Sequence, residues 1–287
     1  MVDSWRIILV LPIFVEMSIE NPPVKQIYFL SDFHLGAPNH EASLEREKVI
    51  VQFLDNIKRS AREIFLVGDM FDFWYEYRRV VPKGYVRLLG KLAELSDAGI
   101  KMHFFAGNHD MWMRDYFQKE LKIPVYYEPQ EYQREGKKFL VGHGDGLGPG
   151  DHGYKRLKKV FRNPFCKWLF GILPPVAGMG LANYLSRRSR AQTGASEEVF
   201  FGEDREWLII YSKEILQQKS IDFLIFGHRH LPIDFRITIP VPGDGCREAR
   251  YINLGDWISF YTYAEFDGNE LTLKSFKGND HKIIRNW

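Results

Sequence analysis

The stretch Phe226-Gly227-His228-Arg229-His230 decides how the rest of the chain is interpreted. It directly follows a run of apolar residues of the kind that forms a buried strand. Two histidines at the tip of such a strand lie at the mouth of a fold, and imidazole is a common metal ligand. They share one side only if the backbone turns sharply, and we attribute that turn to the glycine. A single His-x-His motif is a weak signal, so its meaning depends on the other strand ends.

Length and composition are those of an ordinary globular protein. The chain has 287 residues, of which 45% are hydrophobic, and a formal net charge of +2. That charge gives the whole chain no bulk affinity for polyanions. Two cysteines, Cys166 and Cys246, do not indicate a disulfide framework, and they fit a reducing compartment.

The N-terminus carries a short apolar run at residues 7–15, interrupted by Pro12. It is far shorter than the roughly 20 residues that span a bilayer. A signal-peptide core is one interpretation, but Glu16 follows the run and no small-residue cleavage site is present. We favour a poorly ordered leader over residues 1–24, or an upstream start before Met17.

Strands alternate with helices through the first part of the chain. Buried strands are predicted at residues 25–31, 63–67, 100–106, 137–141 and 221–226, and helices at 43–59, 85–95 and 197–218. Antiparallel strands are predicted at 235–239, 250–254, 257–264 and 271–276. This order predicts an α/β fold with a largely parallel core sheet, built from residues 25–150 and 197–287.

Polar side chains of one chemical kind follow five of the predicted strands. They are Asp32, His34, Asp69, Asn108, His109, His143, His228 and His230. Because loops at the carboxyl ends of strands converge on one crevice, these residues can meet there. Any one of them could instead be a cap or a satisfied core group. As a set, the mix suits Mn, Fe or Zn and has too few carboxylates for calcium.

Seven of these residues are more ligands than one metal needs. Two metal ions about 3.5–4 Å apart, bridged by one carboxylate, would use them all. Asp69 is the natural bridge because it lies between the other ligand pairs in the predicted sheet. Such a pair of cations lowers the pKa of water and offsets the charge that develops on a phosphoryl group.

Five motifs occur in order along the chain: D-x-H, G-D-x-x-D, G-N-H-D, G-H-G-D and G-H-x-H. This series resembles the calcineurin-like metallophosphoesterase superfamily over about residues 25–260. The resemblance implies two β-sheets flanked by helices, with two divalent metals, most often Mn²⁺. It assigns one metal to Asp32, His34, Asp69 and His230, and the other to Asp69, Asn108, His143 and His228. His109 would assist the leaving group or stabilise the transition state, and Asp110 would orient it.

Residues 151–196 form an insertion that we expect to be a helical lid. It carries nine basic residues and no Asp or Glu between His152 and Ser196. Asn163-Pro164 predicts a helix start, and a strongly apolar run follows it. The insertion could be a solvated basic face over a small core, or a nucleic-acid surface. We favour an amphipathic element that contacts anionic lipid and covers an acyl chain.

The lid motif resembles a family of hydrolases within that superfamily. Those enzymes cleave the pyrophosphate bond of a UDP-linked diacylated glucosamine in lipid A biosynthesis. The matching features are H-G-D-x-L, a following Asp and Tyr, and F-R-N-P. The resemblance implies substrate contacts by Asp151, Tyr154, Arg156, Arg162, Ser189 and Arg190. Two positions depart from the usual pattern, with His109 where Arg is common and Arg229 where Thr is common.

The sequence thus predicts a metal-dependent phosphoesterase acting on an acylated UDP-sugar, at the cytoplasmic face of the inner membrane. Another phosphodiester or nucleotide substrate is the alternative within the superfamily, and a nuclease is the least favoured. A non-catalytic scaffold would be expected to lose ligands, yet all seven are present. We expect an anionic membrane as partner through the lid, and no nucleic acid.

Overall fold

A computed structural model describes residues 25–150, 152–182, 184–186, 199–243 and 245–287. The leader predicted at residues 1–24 therefore lies outside the described residues. Within these ranges, no helix has both the length and the apolar character needed to cross a bilayer.

The first sheet has six strands in the order β11-β10-β1-β2-β3-β4. They are β1 Gln26–Leu30, β2 Ala61–Val67, β3 Lys101–Phe105, β4 Val125–Tyr126, β10 Thr262–Phe266 and β11 Leu271–Ser275. The run from β1 to β4 is parallel, and β10 joins β1 antiparallel. The predicted parallel core is therefore one part of a mixed sheet.

The second sheet also has six strands, in the order β12-β8-β9-β7-β6-β5. They are β5 Gln130–Arg134, β6 Lys137–Val141, β7 Phe223–Phe226, β8 Pro232–Val241, β9 Gly245–Leu254 and β12 Ile284–Arg285. Strand β7 lies parallel to both β6 and β9. The parallel β6 and β7 strands matter for the site, because both of them end in predicted metal ligands.

Seven helices are seen among the described residues, and some of them cover the outer faces of the sheets. They are α1 His40–Ile57, α2 Val86–Asp97, α3 Tyr116–Glu120, α4 His152–Arg162, α5 Pro164–Ile172, α6 at residues 175–182 and 184–186, and α7 Trp207–Gln218. The side chain of Asn39 caps α1, and Asn163 caps α5 with Pro164 in the first turn, as its sequence predicts. Helices α1 and α2 pack on the first sheet and α7 packs on the second.

Aromatic side chains fill the space between the two sheets. Phe29 stacks on Phe65 at 4.8 Å between ring centroids, and on Phe139 of the second sheet at 6.0 Å. All three are buried. This apolar layer fixes the two sheets face to face, so the carboxyl ends of β1, β2, β6 and β7 lie near one another. The predicted sandwich of two sheets flanked by helices is confirmed.

Two predicted element boundaries are wrong. The helix predicted at residues 197–218 begins only at Trp207, since Gly202 adopts a left-handed φ of 93° that a helix excludes. The strand predicted at residues 257–264 begins at Thr262. A turn occupies its first part, because Asp256 accepts the backbone N–H groups of the three residues that follow Trp257.

Candidate metal centre

The predicted ligands occupy the carboxyl ends of five strands in the two facing sheets. Asp32 and His34 follow β1, Asp69 follows β2, Asn108 and His109 follow β3, His143 follows β6, and His228 and His230 follow β7. Because the strands β1 to β3 are parallel neighbours, as are β6 and β7, their ends meet at one edge of the sandwich.

Three of these side chains form a first group. Asp32 Oδ1 lies 3.5 Å from His34 Nε2 and 3.5 Å from His230 Nε2. The two imidazole Nε2 atoms lie 3.1 Å apart. One carboxylate oxygen and two ring nitrogens therefore lie close enough together to bind the same metal ion.

A second group lies on the other side of Asp69. The Oδ2 atom of this carboxylate lies 3.3 Å from His143 Nε2 and 3.7 Å from His34 Nε2. His143 Nε2 is also 3.3 Å from the Asn108 side-chain oxygen, and His228 completes the group. Asp69 thus contacts one histidine of each group, which is the position that a bridging carboxylate requires.

The chemistry of the donors fits divalent metals. Asp32 Oδ1 is buried and has no hydrogen-bond partner among the described residues, although it faces two imidazoles. A buried carboxylate oxygen without a partner is costly, and a cation would satisfy it. His143 Nδ1 lies 2.9 Å from the Val67 carbonyl, a contact that leaves its Nε2 available as the ligand atom.

The backbone around the ligands is unusual. Asp32, His34, Asp69, His228 and His230 all have a φ between 44° and 69°, in the left-handed region that residues with a Cβ seldom adopt. Non-glycine residues of this kind cluster at functional sites because the surrounding structure enforces them. The strain is therefore concentrated on five of the seven predicted ligands.

Gly227 has a different role from the one that its sequence suggests. It is not among the residues with positive φ, so conformational freedom is not the reason for a glycine. A Cβ at this position would lie 2.5 Å from Asp32 Oδ2 and 2.9 Å from the Ser31 Cβ, and closer still to the Ser31 hydroxyl. Close packing of two ligand loops requires the glycine here.

His109 lies beside the first group, with its ring 4.8 Å from the ring of His34. Its Nδ1 lies 2.9 Å from the Asp72 carbonyl and 3.4 Å from the Ser186 hydroxyl. Ser186 belongs to α6 and also donates to Asp72 Oδ2 at 3.1 Å. A residue of the insertion therefore reaches the core at the histidine that we expect to act on the substrate.

The contact expected between Asp110 and His109 is replaced by a different one. Asp110 accepts the N–H groups of Gly107 at 2.7 Å and Met70 at 2.8 Å, so its carboxylate holds the loops after β2 and β3 together. The position beside the His109 ring belongs to Asp72 instead. The His109 ring thus lies beside Asp72, and the orienting role expected of Asp110 stays a prediction.

Burial and mutual charge shift the pKa values of these groups in opposite directions. Burial raises the pKa of Asp69, but the facing imidazoles, led by His143, outweigh it and hold that pKa well below its usual range. Burial lowers the pKa of His109 to about 4, against the attraction of the Asp69 carboxylate. Burial and the Asp69 charge raise the pKa of Asp110 to about 7.

Of the six predicted substrate residues, three lie within the described residues. The Tyr154 hydroxyl donates to Asp145 Oδ2 at 2.6 Å, and its ring lies 6.3 Å from that of His228. Arg162 pairs with Glu128, and Arg156 is exposed on α4. Asp151, Ser189 and Arg190 lie outside the described residues.

The sequence does not predict several of the contacts that surround the ligands. Asp256 Oδ2 lies 3.3 Å from His230 Nδ1, which orients that ring. Arg46 of α1 donates to the carbonyls of Phe33 and His34, each at 2.7 Å. Asp72 is the second Asp of the G-D-x-x-D motif, so the motif already contained a signal for it. Ser186 and Arg46 carry no comparable signal.

The fold and the site together define the class of protein. A family model described as calcineurin-like phosphoesterase matches residues 25–232. The chain belongs to that family and is a metal-dependent hydrolase. It is 39% identical over 265 residues to UDP-2,3-diacylglucosamine hydrolase of Porphyromonas gingivalis, a match that covers 88% of this chain and 98% of that protein.

Other proteins are similar to this chain at lower identity. UDP-2,3-diacylglucosamine hydrolase of Ectopseudomonas mendocina is 29% identical over 251 residues, covering 88% of this chain and 98% of that one. Among solved structures, the E. coli phosphoesterase Yfce is 17% identical, with a TM-score of 0.40 and coverage of 87% and 92%.

Proposed function

We propose that this protein hydrolyses the pyrophosphate bond of UDP-2,3-diacylglucosamine, giving 2,3-diacylglucosamine 1-phosphate and UMP. The observation that carries the proposal is the match to the Porphyromonas gingivalis enzyme of that name, at 39% identity over 98% of its length. The cluster of carboxylates and imidazoles at the end of the sandwich supports the same chemistry.

In this proposal two divalent ions, Mn²⁺ ahead of Fe or Zn, would occupy the two groups. Asp32, His34 and His230 would hold one ion, His143, His228 and Asn108 would hold the other, and Asp69 would contact both. Two such ions supply a lowered pKa for water and compensation for the phosphoryl charge. The protein's part is to fix seven buried or half-buried donors in a preorganised arrangement, which lessens reorganisation during the reaction.

His109 is the candidate for assisting the leaving group or stabilising the transition state. A proton on its Nδ1 would be donated to the Asp72 carbonyl at 2.9 Å, which fixes the tautomer and leaves Nε2 for the substrate. The carboxylate of Asp72 lies 3.8 Å from the same Nδ1. Burial favours the neutral ring, in which Nε2 carries a lone pair. His109 could therefore donate to the leaving group only after Nε2 gains a proton, which the negative charge of a bound substrate would favour.

We use the name lid for the part of the insertion formed by α4 to α6. Its residues favour a substrate that is half phosphate and half hydrocarbon. An open cavity of about 550 Å³ lies against α4. Its charged lining residues are four basic ones, Lys155, Lys158, Lys159 and Arg162, and one acidic one, Glu128. Lys158 also pairs with Asp145 at 2.7 Å, two residues beyond the ligand His143. A basic cavity this close to the proposed metal ions suits the charged half of a nucleotide sugar.

The apolar half of the lid faces outward. On α5, Phe165, Trp168 and Ile172 are each about 60% exposed. On its other side Phe170 packs against Trp112 at 4.6 Å between ring centroids, and Tyr75 donates to the Lys167 carbonyl. An apolar helix face anchored in this way beside a basic helix supports binding to an anionic membrane and shelter for an acyl chain.

The test compares two substrates on the intact protein. Purified protein with Mn²⁺ is incubated with UDP-2,3-diacylglucosamine and with a small chromogenic phosphodiester, and UMP and the chromophore are measured. We expect UMP from the first, and no UMP from an Asp69→Ala variant. Cleavage of the chromogenic ester with no UMP would point to another phosphodiester or nucleotide substrate. Activity on neither would favour a binding scaffold.

The lid proposal needs its own variants. Trp168→Ser with Ile172→Ser removes exposed apolar surface, and Val86→Ser, at a position 72% exposed on α2, is the matched control. We expect the lid variant to lose activity on the acylated substrate and binding to anionic vesicles, while keeping activity on the chromogenic ester. Vesicle binding by the unaltered protein should fall as salt is added. Unchanged vesicle binding and acyl-substrate activity would contradict the lipid role.

A further inference from the structure

The turn that carries two proposed metal ligands also carries a cation that the proposed reaction does not use. Arg229 lies between His228 and His230 in sequence, and its guanidinium pairs with the carboxylate of Glu206. The Nε atom lies 2.9 Å from Oε2, and Nη2 lies 3.0 Å from Oε1. Two parallel hydrogen bonds of this kind fix orientation as well as distance.

This ion pair is built into the fold. Glu206 is 2% exposed and immediately precedes α7, which packs on the second sheet. Its Oε1 also accepts the N–H of Phe201 at 3.3 Å, and Arg229 Nη2 donates to the Val199 carbonyl at 2.8 Å. The pair therefore joins the histidine turn to the segment that precedes α7, and that segment also follows the insertion in the chain.

The turn needs such support because its backbone is strained. His228 has a φ of 69° and His230 a φ of 55°, both in the left-handed region. From the side of the metal centre, the N–H of His228 donates to Asp32 Oδ2 at 3.0 Å. On the other side, the carboxylate of Glu206, the residue that precedes α7, holds Arg229 between the two histidines.

We infer that Arg229 is a positioning residue: by pairing with Glu206 it holds His228 and His230 in the left-handed backbone that brings both imidazoles to the metal centre. The inference rests on the proposed dinuclear site and adds a residue to it. Lysine presents a point charge and not a planar fork, so it should replace this arginine only in part.

The experiment measures metal binding and stability separately. Arg229→Met, Arg229→Lys and the double variant Glu206→Gln with Arg229→Met are titrated with Co²⁺ against a chelator. The visible spectrum of the bound Co²⁺ and the Tm are also recorded. We expect Arg229→Met to lower Co²⁺ affinity by about tenfold or more and to change the spectrum. It should also lower Tm by on the order of 10 °C, because a buried carboxylate is left unpaired.

Two comparisons separate positioning from stability. The double variant should recover Tm toward the wild-type value without recovering Co²⁺ affinity, while Arg229→Lys should retain part of that affinity. Arg250 and Asp234 form a matched pair away from the ligands, with side chains 17% and 1% exposed against 18% and 2% for Arg229 and Glu206. Arg250→Met should therefore lower Tm and leave Co²⁺ binding unchanged.

The outcomes that overturn the inference are distinct from those that overturn the proposed function. Wild-type affinity and spectrum in Arg229→Met would overturn the positioning role. Joint recovery of Tm and affinity in the double variant would also overturn it, since the effect would then be one of stability alone. Failure of the unaltered protein to bind Co²⁺ would overturn the proposed metal centre, and the inference with it.

Discussion

Replacing Gly227 by alanine tests whether the two ligand loops are packed as closely as the structure shows. Alanine is allowed by the backbone, since Gly227 has no positive φ. Its Cβ would lie 2.5 Å from Asp32 Oδ2, whereas ordinary van der Waals contact begins at 3.4 Å. The Cβ would lie closer still to the Ser31 hydroxyl. The Ser31 and Asp32 side chains or the whole histidine turn must then move by roughly 1 Å or more, because a close-packed interior leaves no free space.

A displacement of that size is large for a catalytic centre. Misplacing reacting groups by about 1 Å lowers rates by roughly 100-fold, and two ligands of the first group would be affected here. We therefore expect Gly227→Ala to reduce turnover about 100-fold and to lower the metal content of the purified protein. Elemental analysis and the rate of UMP release measure the two effects.

The control is Gly90→Ala on helix α2, where an added Cβ meets open space and the backbone is helical. That change should stabilise the protein by about 1 kcal/mol and leave metals and turnover unchanged. If Gly227→Ala kept both metals and full turnover, the loops would not be in the close contact from which we argue.

Three further predictions concern the ligands, the candidate acid and the pH dependence of stability. By elemental analysis, Asp69→Ala should lose both metals and His230→Ala should lose mainly one. Two retained metals in Asp69→Ala would contradict the role of Asp69 as the bridging ligand. His109→Ala should keep its metals and lose roughly two to four decades of turnover, with a smaller loss on a substrate that has a good leaving group; near-normal turnover on the acylated substrate would refute this role. Although burial raises the pKa of Glu63, hydrogen bonds from Arg134 and His103 lower it to about 2, from an ordinary value of 4.5. Glu63 therefore stabilises the fold above pH 4.5 by on the order of 3 kcal/mol and loses this effect as the pH falls toward 2. The difference in unfolding free energy between the unaltered protein and Glu63→Gln, from denaturant titrations, should shrink over that interval, and a constant difference would contradict the assignment.

The strand tips could be predicted from the sequence because their signal is local. An apolar run followed at once by Asp or His marks both the strand and the polar group at its end, as at Asp32 and His143. The order of the strands in the two sheets could not be predicted in this way. It depends on aromatic packing between distant segments, such as Phe29 against Phe139.

The side-chain partners around the ligands were the part that sequence reasoning missed. Ser186 meets Asp72 across 114 positions of the chain, and no periodicity links two residues so far apart. Asp110 was assigned by its place in a motif, whereas its actual contacts are two backbone N–H groups. The helix predicted from residue 197 begins only at Trp207, because apolar periodicity does not register the left-handed backbone of Gly202.

The left-handed backbone at five proposed ligands lowers the stability of the fold at the residues that activity requires. Each such residue costs on the order of 1–2 kcal/mol relative to glycine, which adopts this conformation freely. A substitution such as His228→Gly would remove a ligand and relieve strain in the same step. Selection for heat resistance alone would therefore favour inactive descendants of this protein, so an effort to engineer a more durable enzyme has to select for turnover in every round.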